Sequence, residues 1–200
     1  FWHRVVDGGI HFTISDTGWL KSLWGKFYGQ WFGESAVFVY DFEKFDGADI
    51  LDKIAKYKIT TFCAPPTMYR MFIKQDLTKY DLSSIKHATT AGEALNPEVY
   101  RQFQQATGLS ILEGFGQSES TLIIGNLNGQ DHKLGSMGKP VPLYDVHLLD
   151  VDGNAYRKAW ARYKELTGTK DTVQFLNLVY HILNVDMPRF HRNVDWVPLN

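Results

Sequence analysis

Short apolar runs alternate with amphipathic stretches over the first three quarters of the sequence, and this pattern predicts alternating strands and helices. Residues 36–40 and 60–64 are rich in β-branched and aromatic side chains, and Pro65 and Pro66 end the second run. Three further strands are predicted at residues 87–90, 109–113 and 144–150. The intervening stretches have the spacing of helices.

Two of the predicted helices begin at recognisable capping residues. Asp46 is a favourable N-cap, and it is followed by apolar residues at helical spacing, namely Ile50, Leu51, Ile54 and Tyr57. Asn96 followed by Pro97 is a typical N-cap and first-turn pair, and Gly108 suits the end of that helix. Strands and helices joined by such short connections predict the α/β class, with a mostly parallel sheet and flanking helices.

An aromatic stretch lies between the first glycines and the first predicted strand. It contains Trp24, Phe27, Tyr28, Trp31 and Phe32 at positions that share one helical face. This spacing favours a helix packed against the core over an exposed platform for sugar or lipid. We therefore expect these rings to be buried.

The composition changes near residue 154 and predicts two parts. Residues 1–154 contain all the glycines except Gly168 and have an excess of acidic residues, whereas residues 155–200 have an excess of basic ones. Residues 155–200 read as a C-terminal helical tail of two amphipathic helices, whose apolar faces either dock on a surface or are accidents of a frameshift or fusion. Because the chain opens in the middle of a pattern, without a Met, we expect it to be a fragment.

Composition and charge narrow the possible functions. The chain has 200 residues, 44% of them hydrophobic, and a formal net charge of −1, which disfavours nucleic acid or an anionic membrane as a partner. Its one cysteine, Cys63, is expected to be buried and inert, and it indicates a reducing compartment such as the cytoplasm or an organelle matrix. No segment has the apolar length of a membrane span, and the histidines lack metal-ligand spacing.

The chemistry concentrates in two glycine-bearing loops that follow consecutive predicted strands. One contains Gly92 and Glu93, and the other spans residues 113–119, Glu-Gly-Phe-Gly-Gln-Ser-Glu. In such a loop glycine exposes backbone amides to phosphate, an aromatic ring can stack on a purine, and a carboxylate can hold Mg²⁺. Because the carboxyl ends of parallel strands share one edge, the pattern suits a nucleotide site, although a plain glycine-rich turn with Phe115 in the core also fits it.

The segment at residues 113–119 resembles a conserved motif of the AMP-forming acyl-CoA synthetases, with Phe115 in place of Tyr and Ser118 in place of Thr. Four supporting stretches occur in the family's order, at residues 16–19, 62–70, 91–97 and 135–140. The region of resemblance, residues 1 to about 154, covers about three quarters of the chain. The local sequence is most similar to acetyl- to medium-chain acyl-CoA synthetases, and less so to luciferases or to the adenylation domains of peptide synthesis.

The resemblance implies a two-step reaction, in which a carboxylic acid attacks ATP to form an acyl-adenylate and CoA then takes the acyl group. It implies that Gly92 and Glu93 flank the adenine and that Phe115 lies against it, within the segment formed by Glu113, Gly114 and Gly116. It further implies that Ser118 contacts the α-phosphate, that Glu119 binds Mg²⁺, and that Trp19 belongs to the acyl pocket. The implied cofactors and substrates are ATP or AMP, Mg²⁺, CoA and a small carboxylate.

Several parts of the family pattern are not recognisable in this sequence: the phosphate-binding loop, the ribose-binding aspartate and the lysine of the mobile C-terminal domain. We therefore expect little adenylation by this chain alone, since phosphoryl chemistry depends on positioning and charge neutralisation. Two alternatives are a non-catalytic interaction module that associates through exposed apolar surface and, less favoured, an adenylation domain of peptide synthesis.

Overall fold

The computed structural model describes residues 2–130, 132–144 and 146, and this part of the chain is built on one seven-stranded sheet. The strands run in the spatial order β2-β1-β3-β4-β5-β6-β7. Their bounds are β1 Ile10–Thr13, β2 Ala36–Val37, β3 Thr61–Cys63, β4 His87–Ala91, β5 Ile111–Gln117, β6 Thr121–Gly125 and β7 Lys139–Pro140.

Strands β1 to β5 are mutually parallel, whereas β6 pairs antiparallel with both β5 and β7. The sheet is therefore mixed with a parallel majority, and the predicted α/β class is confirmed. From β1 the chain moves outward to β2 and then returns across β1 to β3. The point where the strand order reverses thus lies between β1 and β3, and open sheets of this kind bind ligands beyond the carboxyl ends of the strands near such a point.

The helical segments in chain order are α1 Leu20–Ser22, a π-helix Leu23–Tyr28, α2 Gly29–Phe32, α3 Gly47–Lys56, α4 Pro66–Phe72, a 3₁₀ turn Leu77–Lys79 and α5 Pro97–Thr107. Both predicted caps are present. Asp46 Oδ1 accepts from the Ala48 N–H at 2.9 Å, and Asn96 Oδ1 accepts from the Glu98 N–H at 2.8 Å. The helix α5 ends at Gly108, whose φ of 74° is left-handed.

One face of the sheet packs on α3, α4 and α5 to form the hydrophobic core. Phe62 contacts Phe12 of the neighbouring strand and both Tyr69 and Phe72 of α4, with ring centroids between 5.6 and 5.9 Å apart. The Tyr69 ring is buried, and its hydroxyl donates to the Thr89 carbonyl oxygen at 3.0 Å, so the polar end of the ring is satisfied. This aromatic packing fixes the helices against the strands whose carboxyl ends carry the candidate site.

The opposite face of the sheet is polar although it is buried. His11 lies between two threonine hydroxyls, with Nδ1 at 2.7 Å from Thr61 Oγ1 and Nε2 at 2.6 Å from Thr13 Oγ1. Burial lowers the pKa of His11 to about 4, so its ring is neutral at physiological pH. His3 adds a further contact, with Nδ1 at 2.9 Å from Thr89 Oγ1. Because these buried polar groups are hydrogen-bonded, the layer is a stable part of the fold.

The prediction that the aromatic stretch at residues 24–32 packs in the core is wrong. The stretch is helical, but Trp24, Tyr28, Trp31 and Phe32 are exposed, and Phe32 reaches 89% of its maximal exposure. The rings pack mainly on one another, as in the edge-on pair of Tyr28 and Trp31 with centroids 6.3 Å apart. Helical spacing identified the shared face correctly, but it carries no information on whether another element covers that face.

Strand boundaries also differ from the prediction. The strand β2 ends at Val37, three residues earlier than predicted, and β5 continues four residues beyond Glu113 because β6 pairs with it. The strand β1 was not predicted. Cys63 is buried, as predicted. The predicted strand at residues 144–150, apart from Tyr144 and Val146, and the tail at residues 155–200 lie outside the described residues.

Candidate functional site

The two glycine-bearing loops lie side by side at one edge of the sheet. Ala91, the last residue of β4, is the register partner of Gly114 in the neighbouring strand β5. Gly92 follows Ala91, and Phe115 follows Gly114. Because β4 and β5 are adjacent and parallel, Gly92 and Phe115 lie at the same edge of the sheet. The juxtaposition of the two loops, expected from the order of elements, is present in the structure.

Gly92 and Glu93 form the first loop. Gly92 has a φ of +107°, a conformation that side chains with a Cβ rarely adopt, and the space beside it is open within 4 Å. Glu93 is exposed, and its Oε1 accepts from Thr67 Oγ1 at 2.8 Å. Arg70 Nη2 lies 3.4 Å from Glu93 Oε2. The start of α4 therefore holds this carboxylate in place.

Glu113 connects the second loop to the first. Its side chain is buried, and Oε1 accepts from the Leu95 backbone N–H at 3.0 Å. Burial raises the pKa of Glu113 to about 7, while the Leu95 N–H favours the ionised form and opposes that rise. A half-ionised carboxyl group thus ties β5 to the segment that follows Gly92 and Glu93.

Gly114 and Gly116 are required by close packing. A Cβ on Gly114 would lie 2.6 Å from Trp2 Cζ2 and 2.6 Å from Leu122 Cδ1, and a Cβ on Gly116 would lie 1.6 Å from the Thr121 carbonyl oxygen. The sequence reading explained these glycines by the access of phosphate to backbone amides. The contacts give a different physical reason, namely the tight approach of β6 and of Trp2.

The residues Phe115, Ser118 and Glu119 lie on a β-hairpin, whereas the sequence suggested an irregular loop. Phe115 is half-buried and is the register partner of Ile124, with a bulge before Gly116. Ser118 and Glu119 are exposed in the turn that joins β5 to β6. The hairpin therefore carries a half-buried aromatic ring in β5 and a hydroxyl and a carboxylate at its tip.

Trp19 lies between β1 and α1, beyond the carboxyl end of β1. Its side chain is 65% exposed, and its backbone N–H donates to the Asp16 carbonyl oxygen at 3.1 Å. Trp19 thus belongs to the same sheet edge as the two loops, next to the strand-order reversal between β1 and β3.

A small cavity lies behind Glu113. Its volume is about 50 Å³, and its lining includes Leu95, Asn126, Lys133 and Ser136. This volume has room for water but not for a purine. A nucleotide at this edge would therefore lie on the outer side of the loops.

The family described as "AMP-binding enzyme" matches residues 10–162 of the chain, a range that includes all the residues of the two loops and Trp19. The chain belongs to the AMP-binding enzyme family. This finding confirms the family resemblance drawn from the motif at residues 113–119.

Curated relatives of this AMP-binding enzyme family member are acyl-CoA synthetases. "Acyl-coenzyme A synthetase ACSM3, mitochondrial" of Rattus norvegicus is 44% identical over 153 residues, which cover 76% of this chain and 26% of the relative. The Homo sapiens protein named ACSM4 is 43% identical over 154 residues, which cover 77% of this chain and 27% of the relative. The chain thus spans about a quarter of the length of the curated relatives that it matches.

Solved structures of similar proteins agree with the family. An anthranilate CoA ligase, AuaEII, in complex with anthranoyl-AMP has a TM-score of 0.70 at 27% identity, over 75% of this chain and 29% of that one. An acyl-CoA synthetase of Brucella canis has a TM-score of 0.70 at 26% identity, over 77% of this chain and 29% of that one.

Sequence reasoning about this AMP-binding enzyme family member missed Lys21. Its Nζ donates to the Ala91 carbonyl oxygen at 3.3 Å, which brings a cation from α1 to the end of β4. The signal in the sequence was a basic residue two positions after Trp19 at the start of an otherwise aromatic stretch. The contact could not be predicted from a local pattern because Lys21 and Ala91 are 70 positions apart in the sequence.

Among residues 2–130, 132–144 and 146, no group of three or more His, Cys, Asp or Glu side chains is arranged to hold a metal ion. Glu119 is a single exposed carboxylate. It fits the kind of Mg²⁺ site in which the protein supplies one or two carboxylates and in which water and substrate phosphates supply the other ligands. Within the same part of the chain, no helix is both long and apolar enough to span a membrane.

Proposed function

We propose that this chain is the part of an AMP-forming acyl-CoA synthetase that carries the adenine-binding loops and one wall of the acyl pocket. The complete reaction would consume ATP, CoA and a small or medium carboxylic acid and release AMP and pyrophosphate. The observation that carries the proposal is the partnership of Ala91 and Gly114, which sets the Gly92 loop and the Phe115 hairpin beside each other. The names of the curated relatives support the acyl-CoA product.

Each residue of the two loops has a role in this proposal that fits its surroundings. Gly92 and Glu93 flank the adenine, because the open space beside Gly92 leaves its backbone accessible to a ring. Phe115 stacks on the purine. Glu113, Gly114 and Gly116 shape the hairpin so that this ring face is available.

The tip of the hairpin is the polar end of the proposed site. There, Ser118 donates a hydrogen bond to the α-phosphate and Glu119 is a ligand of Mg²⁺, which when bound neutralises phosphate charge. Trp19 forms part of the wall along the acyl chain. Both tip residues are exposed in a turn, where a bulky charged ligand can reach them.

Calorimetric titration with AMP tests the proposed adenine site. We expect millimolar or tighter binding by the wild-type chain and a loss of about tenfold in Phe115→Ala, since stacking on an aromatic ring contributes about 1–3 kcal/mol per base. Trp31→Ala, which removes an exposed ring outside the loops, is the matched control and should leave the affinity unchanged. An absence of heat with AMP at millimolar concentration would contradict the proposal.

We expect little adenylation by these 200 residues alone, because the chain spans about a quarter of its relatives' length and the reaction needs groups from several elements around the phosphates. Carboxylate-dependent exchange of pyrophosphate into ATP measures this step. Exchange well above a no-acid blank would show that the chain is a self-sufficient catalyst and would overturn the expectation.

The compartment is proposed on the same basis. The curated relatives are named as mitochondrial proteins, which supports a mitochondrial location over the cytoplasm predicted from the single cysteine. Both are consistent with a buried, reduced Cys63. Fractionation of cells that express the parent protein with a C-terminal tag distinguishes the two.

A non-catalytic interaction module is the second candidate, and the exposed aromatic face of residues 24–32 favours it. Soluble monomers rarely expose several large rings side by side. In this case the chain would associate through that face and bind AMP weakly or not at all. Sedimentation velocity combined with AMP titration separates the candidates, since a chain that binds AMP fits only the first, whether or not it associates.

A further inference from the structure

Lys21 brings a basic side chain to the sheet edge between Trp19 and the two loops. It projects from α1, and its Nζ donates to the carbonyl oxygen of Ala91 at 3.3 Å. The side chain is half-buried. The ammonium group therefore lies at the end of β4, one residue before Gly92.

The charge of Lys21 has no carboxylate partner within salt-bridge distance in the described part of the chain. Other cations there do have one, for example Lys53 with Asp49 at 2.9 Å and Arg101 with Glu98 at 3.3 Å. The Ala91 carbonyl satisfies one N–H of Lys21 but does not neutralise its charge. His3 is close enough for the positive charge of Lys21 to lower the His3 pKa, after the larger effects of burial and of His11, and the His3 ring is neutral. A partly desolvated ammonium without a counter-charge favours an anionic ligand.

The position of Lys21 identifies which anion. Lys21 lies two residues after Trp19, which is the proposed wall of the acyl pocket. It donates to the carbonyl oxygen of Ala91, the residue before Gly92, and Gly92 is the proposed adenine contact. In an acyl-adenylate the group between the acyl chain and the nucleoside is the carboxyl–phosphate link. Before the reaction, the carboxylate of the free acid and the α-phosphate of the nucleotide are both negatively charged. In the acyl-adenylate, the phosphate of the link keeps its negative charge.

We propose that Lys21 binds the anionic oxygens at this link, namely the carboxylate of the acid, the α-phosphate of the nucleotide, or both in turn. The inference rests on the proposed function, because it uses the acyl and adenine ends of that site. It adds a substrate-binding cation from outside the motif at residues 113–119. Lys21 holds the charged end of the substrate between the two loops and the acyl wall.

Binding measurements on the full 200-residue chain test the role of Lys21. The probe is a non-hydrolysable acyl-adenylate mimic with an anionic sulfamate link, 5′-O-(N-octanoylsulfamoyl)adenosine, and neutral adenosine is its uncharged comparison. Lys21→Met should weaken binding of the mimic about tenfold or more, since hydrogen bonds to charged groups contribute about 1.5–3 kcal/mol. Binding of adenosine should change less than about twofold, because adenosine lacks the charged link.

Two variants make the result specific. Lys21→Arg keeps the charge and should retain most of the affinity for the mimic. Lys74→Met removes an exposed lysine outside the candidate site and should bind the mimic as the wild type does. Separate titrations with AMP and with octanoate then show whether the α-phosphate or the carboxylate provides the anion.

The outcomes distinguish this inference from the proposed function. If the wild type binds the mimic and Lys21→Met binds it equally well, the role of Lys21 is refuted while the adenylate site stands. If Lys21→Met loses adenosine and mimic to the same degree, Lys21 is merely structural and the inference is also refuted. If the wild type binds none of the ligands, both the proposed function and the role of Lys21 fail.

Discussion

Glu113 combines burial, a backbone contact and titration near neutral pH in one side chain. Its carboxyl group accepts from the Leu95 N–H and so holds the segment after Gly92 against β5. Ionising a buried carboxyl group is unfavourable, which is why the pKa of Glu113 rises to about 7 from its usual value of 4.5. The contact between Glu113 and the Leu95 N–H supports the candidate site, but burial of the Glu113 carboxyl group lowers the stability of the fold at neutral pH.

Glu113→Gln should make the protein relatively more stable as the pH rises. The pKa of Glu113 is higher in the folded state than in the unfolded state. Its contribution to the stability of the fold is therefore fully present below about pH 4.5 and is lost as the pH rises to about 7. The difference in unfolding free energy between Glu113→Gln and wild type should therefore shift in favour of the variant by about 3 kcal/mol between pH 4.5 and 8.

Urea unfolding of both proteins at several pH values measures this difference. Comparing variant with wild type cancels the contribution of other groups, including His11, whose lowered pKa acts in the opposite direction. Glu113→Leu, which also removes the acceptor of the Leu95 N–H, should expose that amide to hydrogen exchange, whereas Gln should protect it. A pH-independent difference between Glu113→Gln and wild type would refute the raised pKa.

At the scale of elements, the β5–β6 hairpin determines where the motif residues lie. It is closed by glycine positions at which the neighbouring strand leaves no space for a side chain. The bulge between Phe115 and Gly116 shifts the register, and Thr121 at the start of β6 has a positive φ of 57°. Such tight local geometry fixes the turn that carries Ser118 and Glu119.

Gly116→Ala should destabilise the hairpin strongly. The added Cβ would meet the Thr121 carbonyl oxygen at 1.6 Å, so the two strands would have to separate. Gly129→Ala is the control for backbone strain without crowding, because Gly129 has a positive φ of 79° and open space beside it, whereas Gly116 lies within β5 and is crowded. We expect about 1 kcal/mol or somewhat more for the control and several times that for Gly116→Ala, measured by urea unfolding. Equal losses would show that the crowding at Gly116 is relieved by a small shift.

The elements that could be predicted from the sequence are those with local signals. The helices α3 and α5 were found because their caps and apolar stripes lie within a few residues of one another. The extension of β5 was missed because it depends on pairing with β6, and no local sequence pattern predicts that pairing. The two glycine loops could be predicted to share an edge because strand order follows from short parallel connections, but the contact of Lys21 with Ala91 joins positions far apart in sequence.

At the scale of the whole described unit, the sheet separates two different environments. One face supports an aromatic and aliphatic core under α3, α4 and α5, and the other supports a buried histidine–threonine layer beside the helical stretch at residues 20–32. That stretch turns its rings away from the sheet. An exposed aromatic surface of the described unit therefore faces outward on the polar side of the sheet.

This surface predicts self-association at moderate protein concentration. Sedimentation velocity of the wild-type chain should show a concentration-dependent increase in mean sedimentation coefficient, because burial of exposed apolar area contributes about 25 cal/mol per Å². The double variant Trp31→Glu and Phe32→Glu should shift the protein towards monomer, whereas Lys74→Glu, which adds charge elsewhere, should not. A wild-type protein that stays monomeric over the whole concentration range would contradict the prediction.

Trp2 touches the position where Gly114 lacks a side chain, and its neighbour His3 is bonded to Thr89. Trp2 thus packs against β5, the strand that leads into the hairpin, and His3 holds the neighbouring strand β4. A substitution of Trp2 is therefore expected to alter the position of Phe115, the proposed purine contact that follows Gly114. Substitutions of Trp2 or His3 should accordingly be treated as alterations of the binding loops themselves.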